Sequence, residues 1–589
     1  MPKEDDDGRS KRIAIISLCS ILLVSMVVAV TVGVNLNRLD SSDPKNGNKF
    51  HEVSDTMKAI ESICQPTDYK QDCIKTLNTE AGQTTDPKEL IQAAFKVAMK
   101  HISEGAKKSI VLHELEKDPR AKQALNNCKE LLDSAIAELK HAFAEVGEFD
   151  LSKVEKVLID LKIWLSAVIT YQETCLDGFQ NTTSHAGQKM KEALKSAMRL
   201  SSNGLAIISD ISSVLTGLEI PGLSGHRRLL QDLPNVLGHG DSVPQEWINN
   251  LGVRRLLEAH PANNIRHDLV VAKDGSGDFK TINEALFHIP KNGNKTFVLY
   301  IKEGVYHEYV QINKSMTHLM MLGDGAQKTR ITGNKNFIDG TPTFKTSTVS
   351  VSGDNFIAMN IGFENTAGPE KHQAVALRVQ ADMSIFYNCS MDGYQDTLYA
   401  HTKRQFYRDC TVSGTIDFVF GDAAAVLQNC TFVVRKPLEN QQCIVTAQGR
   451  KERRQPTALI LQDCTFVADP AFYPVRFDRG AYLGRPWKEY SRTIIMESYI
   501  DDLIQPQGWL PWMGDFALRT CFYAEFNNRG PGSKLKDRVK WRGIKNITRA
   551  HALDFSPGRF VWGDMWIKPI GLPYTSGFTT TETQIIGKP

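Results

Sequence analysis

The sequence predicts two folds in succession. Residues 50–215 read as an all-α four-helix bundle, and residues 258–589 as an all-β right-handed parallel β-helix. Three observations carry this. In the first region apolar residues recur at spacings of three and four, as at Leu151, Val154, Val157, Leu158, Leu161 and Trp164, the period of a helix with one buried face. In the second, short β-branched and aromatic segments are separated by Gly and Asn and repeat at about 20 residues, the length of one turn of a stacked solenoid. No helical pattern alternates with those segments, which excludes a doubly wound α/β fold. A chain of 589 residues is in any case too long for one hydrophobic core.

The elements follow in order. Residues 1–49 hold a short head whose Arg9, Lys11 and Arg12 form a basic flank, and then the uncharged apolar run Ile13–Val34. That length fits a membrane span better than the core of a cleaved signal, which is usually ~7–15 residues. The basic flank stays cytosolic, so the remainder is translocated. A signal anchor is the first expectation and a cleaved signal peptide the alternative. Translocation agrees with the sequons at Asn181, Asn294, Asn313 and Asn546, the expected glycosylation sites. Asn388 and Asn429 also match, but each precedes a cysteine in an expected strand. Of the 11 cysteines, Cys19 lies in the apolar run and the others enter an oxidising compartment. In the helical region Cys64–Cys73 is expected to close a short hairpin and Cys128–Cys175 to staple two long helices, the most local of three connectivities.

Residues 216–257 read as a linker, with Pro221-Gly222-Leu223-Ser224-Gly225. The near-duplicate Arg227-Arg228-Leu229-Leu230 and Arg254-Arg255-Leu256-Leu257 mark it as a target for a processing protease. Beyond it the solenoid repeat is visible in Tyr387-Asn388-Cys389, Arg408-Asp409-Cys410, Gln428-Asn429-Cys430 and Gln462-Asp463-Cys464. The intervals between cysteines are 21 (410 − 389), 20 (430 − 410) and 34 (464 − 430) residues. Such cysteines stack in a column. The pair Cys410–Cys430 is preferred for a disulfide on its regular interval, while the pairing of Cys389, Cys443, Cys464 and Cys521 stays open.

Two aspartates stand out against this frame. Asp396 and Asp417 lie 21 residues apart (417 − 396), each in an apolar setting. One turn of the solenoid brings them onto adjacent rungs, about 5 Å apart. A lone carboxylate among Leu, Val and Phe is costly to bury without a partner or a task. Two at that distance divide the labour of catalysis, one charged and one protonated.

Five segments together resemble the plant pectin methylesterases: Gly304-Val305-Tyr306-His307-Glu308, Gln373-Ala374-Val375-Ala376-Leu377, Gln395-Asp396-Thr397, Asp417-Phe418-Val419-Phe420-Gly421 and Leu483-Gly484-Arg485-Pro486-Trp487. The helical region resembles the pectinesterase-inhibitor domain that often precedes such enzymes as a pro-region. The resemblance implies hydrolysis of methyl-galacturonate esters in cell-wall pectin, by a chain exported to the plant cell wall. It implies Asp417 as nucleophile, Arg485 as the cation that orients it, and Asp396 as proton donor and then base. Gln373 and Gln395 are then oxyanion donors, and Thr343 and Trp487, with Gln373 and Arg485, contact substrate. A pro-domain that inhibits the catalytic domain is a further implication.

Other chemistries find less support. No Gly-x-Ser-x-Gly elbow or Ser-His-Asp set is present, so the esterase is expected to be serine-independent. His307 and His401 read as surface or satisfied histidines. No His/Cys cluster points to a metal, and no cofactor is expected. The net charge of +3 suits an acidic polymer and is too weak to argue for nucleic acid. A monomer is expected. A β-helical polygalacturonase or lyase is one rival reading, against which the paired glutamines and Arg485 beside Asp417 favour acyl transfer; a non-catalytic wall-binding protein or inhibitor is the other, against which the intact Asp396, Asp417 and Arg485 argue.

Overall fold

The computed structural model describes residues 55–147, 154–211 and 266–579. The apolar run at 13–34 and the Arg227, Arg228, Arg254 and Arg255 sites of the linker lie outside the described residues. No helix among the described residues is long and apolar enough to cross a membrane.

The N-terminal region is helical. Two short helices, α1 (Asp55–Cys64) and α2 (Lys70–Glu80), precede four long ones: α3 (Pro87–Leu115), α4 (Pro119–Gly147), α5 (Val154–Asp177) and α6 (Ala186–Ser209). Helices α3 and α4 begin alike. Proline takes the first helical position, where its missing N–H costs nothing. The aspartate before it accepts from the second backbone N–H: Asp86 from Lys88 and Asp118 from Arg120, both at 2.9 Å. Cys64–Cys73 closes the α1–α2 hairpin and Cys128–Cys175 joins α4 to α5, as the sequence predicts.

The described residues form two compact units. One holds those up to Gly105, Ile136–Leu165 and those from Ala193 to 211. The other holds Ala106–Ala135, Ser166–Glu192 and the whole β-rich region. In the first, Asn203 clasps the backbone of Tyr69, accepting from its N–H at 3.2 Å and donating to its carbonyl at 3.0 Å.

In the second unit three parallel sheets, of 11, 7 and 8 strands, run the length of a β-helix. The register reproduces the sequence repeat. Ile385 pairs with Phe406, Phe406 with Val426, and Val426 with Ile460. Inward residues stack like on like: Phe386 lies 4.9 Å from Tyr407, and Phe432 lies 5.1 Å from Phe466. An Asn or Asp, directly before the cysteine on four of these rungs, turns the chain between sheets. Asn360, Asn388, Asp409, Asn429 and Asp463 all have φ between 50° and 58°, a left-handed conformation that Asn and Asp tolerate best after glycine. Their side chains form a ladder. Asn388 donates to Asn360 and Asn429 to Asp409, each at 2.6 Å, so these amides are engaged as turn residues.

The expected Cys410–Cys430 disulfide is not formed. Both are buried free thiols, as are Cys389, Cys443, Cys464 and Cys521. The column exists, but in-register stacking points its side chains the same way instead of toward each other, and a disulfide needs converging Cβ vectors. Each S–H turns to backbone instead: Cys410 Sγ lies 3.4 Å from the Phe386 carbonyl, and Cys430 Sγ 3.6 Å from that of Tyr407.

Candidate active site

Asp396 and Asp417 occupy the same position on consecutive rungs. Each lies two residues before a strand of the seven-stranded sheet, Leu398–Ala400 and Val419–Gly421, and Leu398 pairs with Val419. The Asp396 N–H donates to the Ile416 carbonyl at 3.0 Å. Both aspartates have positive φ, 63° and 51°. They are therefore turn residues as well as a carboxylate pair, and such conformations concentrate at functional sites. Both are buried, 8% and 5% exposed. One rung earlier, Gln373 bridges to Gln395 in parallel register.

Arg485 arrives from the strand Ala481–Gly484 of the same sheet. Its Nε donates to Asp417 Oδ1 at 2.8 Å and its Nη2 to Oδ2 at 2.6 Å. Both carboxylate oxygens are thus held by one planar fork. Two features let it reach. The intervening strand carries the small Ala447 opposite Phe420. Gly484 packs so closely that a Cβ there would meet Thr446 Oγ1 at 2.2 Å. Similarly, a Cβ on Gly449 would lie 2.7 Å from the Trp487 ring. The Arg485 guanidinium stacks on Trp512 at 4.3 Å.

The electrostatics separate the two carboxyls. Burial and then the negative charge of Asp417 push Asp396 well above the usual carboxylate range, and Arg485 offsets only part of this. Burial also raises Asp417, but Arg485 acts against it through both charge and hydrogen bonding. Asp417 therefore ionises first and Asp396 keeps its proton.

These groups line one cavity of about 240 Å³ with Gln373, Gln395, Thr343, Tyr399, Phe420, Arg485, Trp487 and Trp512. The Gln373 side-chain carbonyl oxygen is buried without a partner. Every residue expected at the reacting centre or against substrate is brought here. Trp512 was not expected. It lies three residues from Trp509, which is core, 1% exposed and stacked on Tyr523 at 4.4 Å. Nothing in Trp509-Leu510-Pro511-Trp512 tells the two apart without the rung register. His307 is exposed. His401 is wholly buried with Nε2 2.9 Å from Thr174 Oγ1, while Nδ1 lacks a partner, so it is only half satisfied.

The sequence also gives no hint of the cavity's other wall, which belongs to the same compact unit. Arg120, Asn127, Thr174, Asp177, Gly178, Gln180 and Asn181 line it. The end of α5 is held to the β-rich region by polar contacts. Thr170 donates to Asp422 at 2.6 Å, Gln455 to Ser166 Oγ at 2.9 Å, and Lys488 to Asp177 at 2.5 Å. Among the described residues no cluster of His, Cys, Asp and Glu is arranged to hold a metal ion.

An anionic carboxylate fixed by an arginine, a protonated carboxyl on the next rung and two neutral amides suit acyl transfer. The family comparison agrees. Residues 268–564 match the Pectinesterase family. A protein of Arabidopsis thaliana described as "Putative pectinesterase/pectinesterase inhibitor 28" is 53% identical over 588 residues, covering 99% of this chain and 78% of that protein. The chain belongs to the pectinesterase family. Members of this family are carboxylic ester hydrolases. "Pectinesterase 3" of Citrus sinensis is 41% identical over 555 residues, 92% of this chain and 91% of that protein. The solved structure of pectin methylesterase from carrot is 46% identical, with a TM-score of 0.53, covering 54% of this chain and 99% of that one. Residues 58–207 match the plant invertase/pectin methylesterase inhibitor family.

In this pectinesterase the bidentate pair makes Arg485→Lys far from conservative. A lysine keeps the charge but loses the two-point grip and the stacking on Trp512. The substitution is expected to lower kcat by roughly 10²-fold or more. The acidic limb of the pH–rate profile should move to higher pH, because less opposes the burial that raises Asp417. A kcat and acidic limb equal to the parent's would show that Arg485 acts only as a distant charge.

Proposed function

We infer that this chain hydrolyses the methyl esters of galacturonate units in cell-wall pectin, releasing methanol and leaving carboxylates. The observation that carries the reading is the Arg485–Asp417 pair beside a carboxyl held in its protonated form. The Asp417 carboxylate attacks the ester carbonyl. Gln373 and Gln395 donate to the oxyanion that forms, each worth about 3 kcal/mol by the usual cost of removing such a donor. Asp396 protonates the departing methanol, and an anhydride links substrate to Asp417. Asp396, now anionic, takes a proton from water, which hydrolyses the anhydride and restores both aspartates. Trp487 and Thr343, both lining the cavity, offer an apolar face and a hydroxyl to the sugar. A methanol assay on esterified pectin, run beside assays for new reducing or unsaturated chain ends, tests the reaction: methanol alone supports it, and chain cleavage without methanol contradicts it.

The helical region is read as an inhibitor of its own enzyme. Support comes from Asp177, Gly178, Gln180 and Asn181, which stand where a polysaccharide chain has to lie. The precursor enters the secretory pathway, on the apolar run 13–34 as an anchor or a cleaved signal. A protease then cuts at Arg254-Arg255, or at Arg227-Arg228, and the active chain begins near Glu258 at the wall. Asn181, Asn294, Asn313 and Asn546 are all exposed, as glycan acceptors have to be. N-terminal sequencing of wall-extracted protein is expected to start near Glu258, with a gain in methanol release on cleavage of at least about 10-fold. A fully active chain that keeps residues 50–215 would refute removal as a requirement.

A further inference from the structure

The polar contacts of the helices stop short of the reacting centre. In the compact unit that holds the β-rich region, α5 reaches Asp422, His401 and Lys488. Helix α4 reaches Lys345 through Glu130 and the Ile338 carbonyl through Arg120. Among the described residues no hydrogen bond or ion pair joins a helix to Asp396, Asp417, Arg485, Gln373 or Gln395. The shifts that divide the two carboxyls come from burial, from Arg485 and, at Asp396, from Asp417. The oriented carboxylate and its protonated neighbour are therefore complete while the helices are in place.

What the helices take away is room. The cavity beneath them is about 240 Å³, below the roughly 300–1,000 Å³ of sites that hold drug-sized ligands. That is the scale of one sugar unit and not of a polymer. Gln180 and Asn181 in its lining are exposed, so the cavity opens to solvent at the turn after α5. Its lining also holds buried polar atoms that the protein does not satisfy. Asn127 is 6% exposed and its Nδ2 has no partner, and neither has Gln373 Oε1. The next residue after Asn127 is Cys128, whose disulfide to Cys175 ties this turn of α4 to α5. A buried donor and a buried acceptor left unpaired are costly, and a hydroxylated ligand of that size satisfies both.

We propose that the uncut chain is a working esterase for single uronate esters: the helical region is a size filter that excludes the polymer, and Asn127 of α4 is a contact for the one sugar unit that enters. The inference rests on the uronate-ester reading of the site. The chemistry is the same as with the polymer. A bond from Asp417 to the acyl carbon forms as the ester C–O bond breaks, and the alcohol leaves with the Asp396 proton where it needs one. Water then clears the acyl group, giving a free uronic acid and restoring both aspartates. Removal of the helices changes which esters reach Asp417, and not whether Asp417 can react.

The test keeps the full chain uncut by changing Arg227, Arg228, Arg254 and Arg255 to Ala. It is offered an aryl ester of a single galacturonate, read by phenol, and esterified pectin, read by methanol. A single unit lacks the binding energy of its neighbours, and the aryl leaving group keeps its turnover measurable. Relative to the processed chain, kcat/KM is expected to fall by less than about 10-fold for the single ester and by at least about 10²-fold for pectin. Asp417→Asn in the uncut chain is expected to stop phenol release, which assigns it to the paired aspartates. Asn127→Leu, which removes the unpaired amide at similar volume, is expected to raise KM for the single ester at least about 5-fold with kcat within about 2-fold; a merely structural Asn127 would leave KM where it was. No phenol from the uncut chain, equal falls for both substrates, or phenol release that survives Asp417→Asn would overturn the proposal. Methanol from pectin with the processed chain is the separate readout: its absence would sink the esterase reading itself, whatever happens to the single ester.

Discussion

Asp417→Asn is expected to abolish methanol release from esterified pectin, by at least about 10⁴-fold in kcat, while the β-helix survives. The amide is nearly the size of the carboxylate and tolerates the left-handed backbone at this turn. It also keeps an oxygen to accept from Arg485. What it lacks is the anionic electron pair that attacks the ester carbon, and no neighbour supplies one, because Asp396 is held protonated. The measurement is methanol release by the processed chain, with far-ultraviolet circular dichroism as the check on folding. Turnover within about 10-fold of the parent by a folded protein would remove Asp417 from the reaction.

Asp396→Asn has the second largest expected effect, a loss of roughly 10³-fold or more, and for a different reason. It removes proton donation to methanol in the first step and activation of water in the second. The two steps can be separated by the leaving group. An aryl ester needs no proton to depart, so the variant is expected to release about one equivalent of the phenol per enzyme and then stall. The pH dependence follows from the same pair. Asp396 has to begin protonated, so activity falls as pH rises through its raised pKa. Asp417 has to be ionised, so activity falls as pH drops through its own, which Arg485 holds below that of Asp396. The profile is a bell whose limbs belong to the pair.

The spacing of Asp396 and Asp417 was legible because a solenoid converts sequence interval into distance. The interval of 21 residues is also the pairing interval of Leu398 with Val419, so a repeat visible in the cysteines placed the aspartates too. Arg485 was legible only through its motif. It lies 68 residues beyond Asp417, and the loops between break the repeat. Trp512 was not legible, because its neighbour Trp509 has the same composition around it and goes to the core. The Cys410–Cys430 expectation failed on direction, since adjacency in a column says nothing about where each sulfur points. The α5 contacts with Asp422, Gln455 and Lys488 join residues up to 315 positions apart, and no period links them. Asp422 shows the result. Four donors surround its carboxyl, from Thr170, Gln455, Thr457 and Gln448, yet burial still raises its pKa to about 6.

The central claim is that Asp417 becomes covalently acylated. Asp396→Asn slows the step that would clear the adduct, so the variant is the place to look. The processed variant is mixed with an aryl ester of an oligogalacturonate, quenched in acid during the first turnover, digested and read by peptide mass spectrometry. The account predicts a uronoyl adduct on the peptide that carries Asp417, appearing with the released phenol and absent from the Asp396→Asn/Asp417→Asn double variant. Phenol released at the same rate with no adduct, or with the adduct on another residue, would contradict it.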